Sequence, residues 1–117
     1  MHAVVHLELH TRDLPAASEY YARLLDWRPE RVETEHGCYV ALGLGESIEG
    51  GIVQCGTERP MWLPYVEVDQ IDAIIERGRE LGASVLLGPR EGPAGWRCVL
   101  SSPDAGEVAL WQRKEWR

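Results

Sequence analysis

The feature that most constrains this chain is an internal repeat. In each half a strand-like run ends near an aspartate and passes into a segment of helical spacing. HAVVHLELHTRD (2–13) leads to a helix from Leu14, and WLPYVEV (62–68) leads past Asp69 to a helix from Ile71. Residues 14–24 and 71–81 hold corresponding places in the two halves. Composition alone seldom produces such symmetry, and a repeated unit of this kind must bury its apolar faces by covering strands with a helix. The pattern predicts an α+β chain of two βαβββ modules, residues 1–56 and 61–117, forming curved mixed sheets around a cleft within a single domain of 117 residues.

The opening run carries three of the four histidines. Strand alternation puts Ala3, Val5, Leu7 and Leu9 on one face and Val4, His6, Glu8 and His10 on the other. A helix would instead align His2, His6 and His10 at four-residue spacing. The β-branched Val4 and Val5, the strict alternation, and Asp13 followed by Pro15 favour a strand that ends where a helix begins.

The first helix should bury Leu14, Ala17, Tyr21, Leu24 and Leu25. Strands are then expected over 27–35, 38–42 and 48–55, with a turn at His36 and Gly37 and a bulge or close backbone approach at Gly50 and Gly51. In the second half the buried stripe is Ile71, Ile74, Ile75, Gly78 and Leu81, with Asp69 as cap and Gly82 as stop. Strands over 84–87, 96–100 and 107–112 complete the repeat, separated by GPREGPAG and SSPDAG.

Composition removes several function classes. An apolar fraction of 44% and a charged fraction of 26% suit a soluble globule, and no apolar run approaches the roughly 20 residues that span a bilayer. Met1 leads straight into strand-like sequence without a basic and apolar leader, so a cytoplasmic protein is expected. Cys38, Cys55 and Cys98 are odd in number and unpaired in spacing, which predicts small buried residues rather than disulfides. A net charge of −7 without a basic stripe argues against nucleic acid and mildly favours neutral or cationic partners.

VHLELHTRDLPAASEYYARLLDW, YVEVDQIDAIIERGRELGASV and SSPDAGEVALWQ together resemble the vicinal oxygen chelate superfamily of glyoxalases, bleomycin-resistance proteins and extradiol dioxygenases. The resemblance covers nearly the whole chain. It implies paired βαβββ modules around a metal cup, with ligands on the first, fourth, fifth and eighth strands. Those positions fall on His6, approximately on Gln54, on Leu63 and on Ala109. One imidazole and one amide fall short of a divalent site, so no metal and no other cofactor is expected. A relocated His6, Glu8 and Glu67 set is the alternative.

By parity the cup should be lined by His6, Glu8, Ile52, Gln54, Leu63, Tyr65, Glu67, Glu107, Ala109 and Trp111. The faces of the seventh strand stay unassigned. Glu8, Glu67 and Glu107 are read either as a solvated rim or as counter-charge in a cation-friendly pocket with Tyr65 and Trp111. His6 beside Glu8 can form an acid/base pair, because a carboxylate orients a nearby imidazole. The expected function is binding of a small organic molecule in the cup without a metal. The alternative is a lyase or isomerase using His6 as acid/base or metal ligand. A homodimer is also expected, with Trp27, Trp62, Trp96, Trp111 and Trp116 as interface anchors.

Overall fold

A computed structural model describes residues 2–35, 37–46 and 48–114. His36, Trp116 and Met1, on which a turn, an interface anchor and the start of the chain were read, lie outside them. Eight strands and two helices follow one another as β1 (Val4–Thr11), α1 (Leu14–Leu25), β2 (Glu30–Thr34), β3 (Gly37–Gly43), β4 (Glu49–Gln54), β5 (Met61–Glu67), α2 (Ile71–Glu80), β6 (Ser84–Glu91), β7 (Gly95–Ser102) and β8 (Gly106–Arg113). The βαβββ order therefore occurs twice. The chain divides into two compact units, Val5–Leu63, and Pro64–Arg117 together with Met1–Val4. The division falls one residue inside β1 and three residues inside β5.

In the unit Val5–Leu63 the strand order is β2-β3-β4-β1, with β1 parallel to β4 and the other pairs antiparallel. α1 starts as expected. The Asp13 carboxylate accepts from the Ala16 N–H at 3.1 Å, proline occupies the first turn, and Asp26 ends the helix in the left-handed region at φ 57°. A second acceptor comes from far along the chain, where Gln54 Oε1 takes the Leu14 N–H at 3.0 Å.

Leu9, Leu14, Val40, Leu42 and Ile52 form the core of this unit, with Ala17, Tyr21, Trp27 and Trp62 packed against it. Leu24 and Leu25 depart from expectation at 56% and 47% exposure. They straddle the buried stripe, about 50° to either side at 3.6 residues per turn. Gly50 and Gly51 show a close approach and no bulge. The register of β4 against β1 and β3 is continuous, and a Cβ on Gly50 would lie 2.6 Å from Leu44 Cγ.

The second unit repeats the plan as β5-β8-β7-β6, with β5 parallel to β8. Val68, Ile71, Ile75, Cys98, Leu100 and Leu110 make its core. The cap of α2 is Gln70 rather than Asp69, and it makes no side-chain cap bond. Gln112 Oε1 instead accepts the Ile71 N–H at 2.8 Å, matching Gln54 in the other unit. Gly82 follows the helix at φ 94°, as a stop requires. Leu81 is 80% exposed, outside the stripe expected to hold it.

Two of the tryptophans meet one another in the unit Val5–Leu63. Trp27 stacks on Tyr21 at 5.5 Å, and Trp62 meets both rings and donates from Nε1 to the Tyr21 hydroxyl at 3.2 Å. Of the cysteines Cys98 alone is buried, its thiol pushed up by burial, while Cys55 is exposed. All three are free thiols. No helix among the described residues is long and apolar enough to cross a membrane.

Candidate functional site

β1 turns Leu9 toward α1, so the opposite parity carries His6, Glu8 and His10 on the uncovered face. Alternate residues of a strand stand about 6.8 Å apart, a gap that a carboxylate between two imidazoles can bridge. Glu8 Oε2 lies 3.2 Å from His6 Nε2, and Glu8 Oε1 lies 2.8 Å from His10 Nε2. A carboxylate only accepts, so both Nε2 atoms carry the proton, and in the neutral rings Nδ1 is the basic nitrogen. Burial pushes the Glu8 carboxyl up, but the hydrogen bonds from His10 and His6 and their charge outweigh it and hold the group down to about 2. The side chains of His6 and Glu8 are therefore in contact, and the half-buried His10 is a third member of the row.

The second unit likewise has a face turned away from its helix. Cys98, Leu100 and Leu110 sit under α2, which assigns the faces of β7 and turns Arg97, Val99 and Ser101 the other way. Tyr65 pairs with Ala109, and Glu67 with Trp111, in the parallel β5–β8 register. Glu107 lies on the same face, in register with Ser101. Arg97, opposite Trp111, donates to the Tyr65 hydroxyl at 3.3 Å. Glu67 accepts from Arg113 at 3.0 Å.

The charges around Tyr65 and Trp111 are mixed, with Glu107 on the same face. Glu67 is neutralised by Arg113, and the charged group brought to Tyr65 is a guanidinium. Sequence reasoning missed Arg97 because WRCVL offers apolar residues on both parities; only the packing of Cys98 reveals its face.

No protein-family model matches the sequence. The chain is 26% identical over 114 residues to the protein named Putative glyoxylase CFP32 in Mycobacterium tuberculosis and, equally, in Mycobacterium bovis. The match covers 91% of this chain and 44% of those proteins, so the chain spans less than half of their length. Methylmalonyl-CoA epimerase from Mycobacterium tuberculosis superposes with a TM-score of 0.65 at 17% identity, over 96% of this chain and 88% of that one. The hypothetical protein BH1468 from Bacillus halodurans does so with a TM-score of 0.70 at 12% identity, over 99% and 97%. The fold is that of the vicinal oxygen chelate superfamily.

The metal positions implied by the superfamily do not fit a metal in this chain. Gln54 is turned to the α1 side and its carbonyl is engaged by Leu14 N–H. Leu63 and Ala109 are buried and have no side-chain donor atom. The expectation that Ile52 and Gln54 share a face with His6 is corrected by the register, which sets Leu9 against Ile52 and Glu8 against Gly51. In the same register Glu49 stands opposite His6, and Gly51 of β4 lies beside the His6 ring, where a Cβ would stand 3.8 Å from His6 Nε2. Gly51 itself has no side-chain donor. Among the described residues no group of three or more His, Cys, Asp and Glu is arranged to hold a metal ion.

Proposed function

We propose that the protein is a glyoxalase-like binder of a small organic molecule, seated on a module face turned away from the helix, with no resident metal. The observation that carries this reading is the face of the second unit turned away from α2. Tyr65 lies beside Ala109, Trp111 follows two residues along, and polar groups stand at the edges. Apolar and aromatic floors with a few placed polar groups are the usual composition of small-molecule sites. The names of the relatives, a glyoxylase and a methylmalonyl-CoA epimerase, support small organic substrates for proteins of this kind. The reading includes a cytoplasmic homodimer, and a monomer mass from light scattering at micromolar concentration contradicts the dimer.

A second reading has its own observation. Glu8 bonded to His6 Nε2 fixes the ring and its tautomer, as an orienting carboxylate does for a general base. It supports a lyase or isomerase in which His6 moves a proton. A thermal-shift screen in EDTA, followed by product analysis of each hit, tests both. Hits recovered unchanged support the binder, and conversion lost in His6→Ala establishes the enzyme. Hits that appear only with added divalent metal contradict the metal-independent reading.

A further inference from the structure

Arg90 and Arg97 stand directly opposite one another on the antiparallel strands β6 and β7. Paired residues share a face, and like charges placed this way repel unless an anion lies between them. Among the described residues neither guanidinium is paired with a carboxylate. The nearby acids are committed elsewhere, Glu67 to Arg113 and Glu91 to Lys114, each at 3.0 Å.

The geometry points to a binding site for a planar organic carboxylate, held by Arg97 with Arg90 beside it and stacked on Trp111. Arg97 is set for this by its neighbours. Its side chain leaves the row of Trp111 and reaches diagonally to the Tyr65 hydroxyl, and it does so across Ala109, where only a methyl group stands. Tyr65 is 7% exposed, so its hydroxyl is a fixed post that aims the guanidinium and uses one of five N–H donors. The rest suit the two parallel bonds that a carboxylate accepts.

The Trp111 ring is held at its other side by the backbone, since a Cβ on Gly95 would come within 2.9 Å of Cζ2 and Cη2. A half-buried indole on the same face as the guanidinium offers a flat acid a better surface than it offers a flexible aliphatic one. The residue that stands where the superfamily resemblance implies a metal ligand is thus the small residue that admits Arg97, and the fixed positive charge comes from the protein.

This inference rests on the small-molecule reading above and is tested separately from it. Benzoate and benzamide, the same ring with and without a charge, are titrated by calorimetry and Trp fluorescence in EDTA. We expect benzoate to bind and benzamide to bind at least about tenfold more weakly. Arg97→Gln should lose about tenfold in benzoate affinity, Arg97→Lys should recover part of it, and Tyr65→Phe should lose a few-fold by freeing the guanidinium. Circular dichroism confirms that each variant is folded.

Equal binding of benzoate and benzamide overturns the inference and leaves small-molecule binding standing. Failure of both ligands counts against both readings. Benzoate affinity unchanged in Arg97→Gln, or inorganic phosphate binding with the same Arg97 dependence while benzoate does not, also overturns the assignment.

Discussion

The Glu8 carboxylate and the His10 ring, two residues apart on β1, meet at 2.8 Å between Oε1 and Nε2, and His6 closes on the other oxygen at 3.2 Å. Because Glu8 titrates at about 2 rather than 4.5, folding is favoured by its ionised form. That contribution is complete above pH 4.5 and is lost as pH falls toward 2, and it amounts to about 3 kcal/mol. Urea unfolding followed from pH 6 to pH 2 should show the loss. Glu8→Gln keeps an acceptor but no charge and should remove that part of the acid slope. An unchanged slope in the variant contradicts the assignment.

Gln54 and Gln112 hold equivalent positions, each giving its side-chain carbonyl to the first N–H of a helix. Replacing either by alanine should cost about 1 kcal/mol, because the N–H loses its acceptor at a helix start. Glu at either position keeps the acceptor and adds a charge that the helix dipole favours. Urea midpoints of Gln54→Ala and Gln112→Ala equal to that of the unsubstituted protein contradict this account.

How far the site could be read from the sequence depended on the strand. β1 was legible because three polar residues alternate with three apolar ones before Asp13 and Pro15, and both the face and the helix start follow. The repeat was legible because α1 and α2 stand at corresponding places. β4 was not. Its EGGIVQ offers two glycines and only one apolar pair, so parity slipped by one residue and put Ile52 and Gln54 on the wrong face. β7 was illegible for the opposite reason, having too many apolar residues. Leu24 and Leu25 were misread because they lie on the flanks of the stripe, and Leu81 because it follows the last residue of α2.

Gly95 should tolerate no side chain. A Cβ there meets the Trp111 ring at 2.9 Å and the backbone carbonyl of Gln112, and the carbonyl cannot move without breaking the β7–β8 ladder. Gly95→Ala should cost about 1–3 kcal/mol as an overpacked site does, and should shift the Trp fluorescence. Thermal melts and emission spectra check it. Unaltered stability and emission would show that the indole lies elsewhere.

Ile52 is fully buried in the core under α1. Ile52→Ala should cost about 2–5 kcal/mol, the usual loss for an aliphatic side chain in a packed core. If instead Ile52 lined a ligand face, as its reading from sequence had it, the same substitution would alter ligand binding with little effect on the urea midpoint.

Metal content tests the central claim most directly. The resemblance-derived positions offer His6, a Gln54 carbonyl already bonded to Leu14, and the donor-free Leu63 and Ala109, a set too poor for a divalent ion. Elemental analysis of untagged protein purified without chelator should find far less than one divalent metal per chain. About one metal per chain, lost in His6→Ala, would contradict the account and shift the function to metal-dependent catalysis.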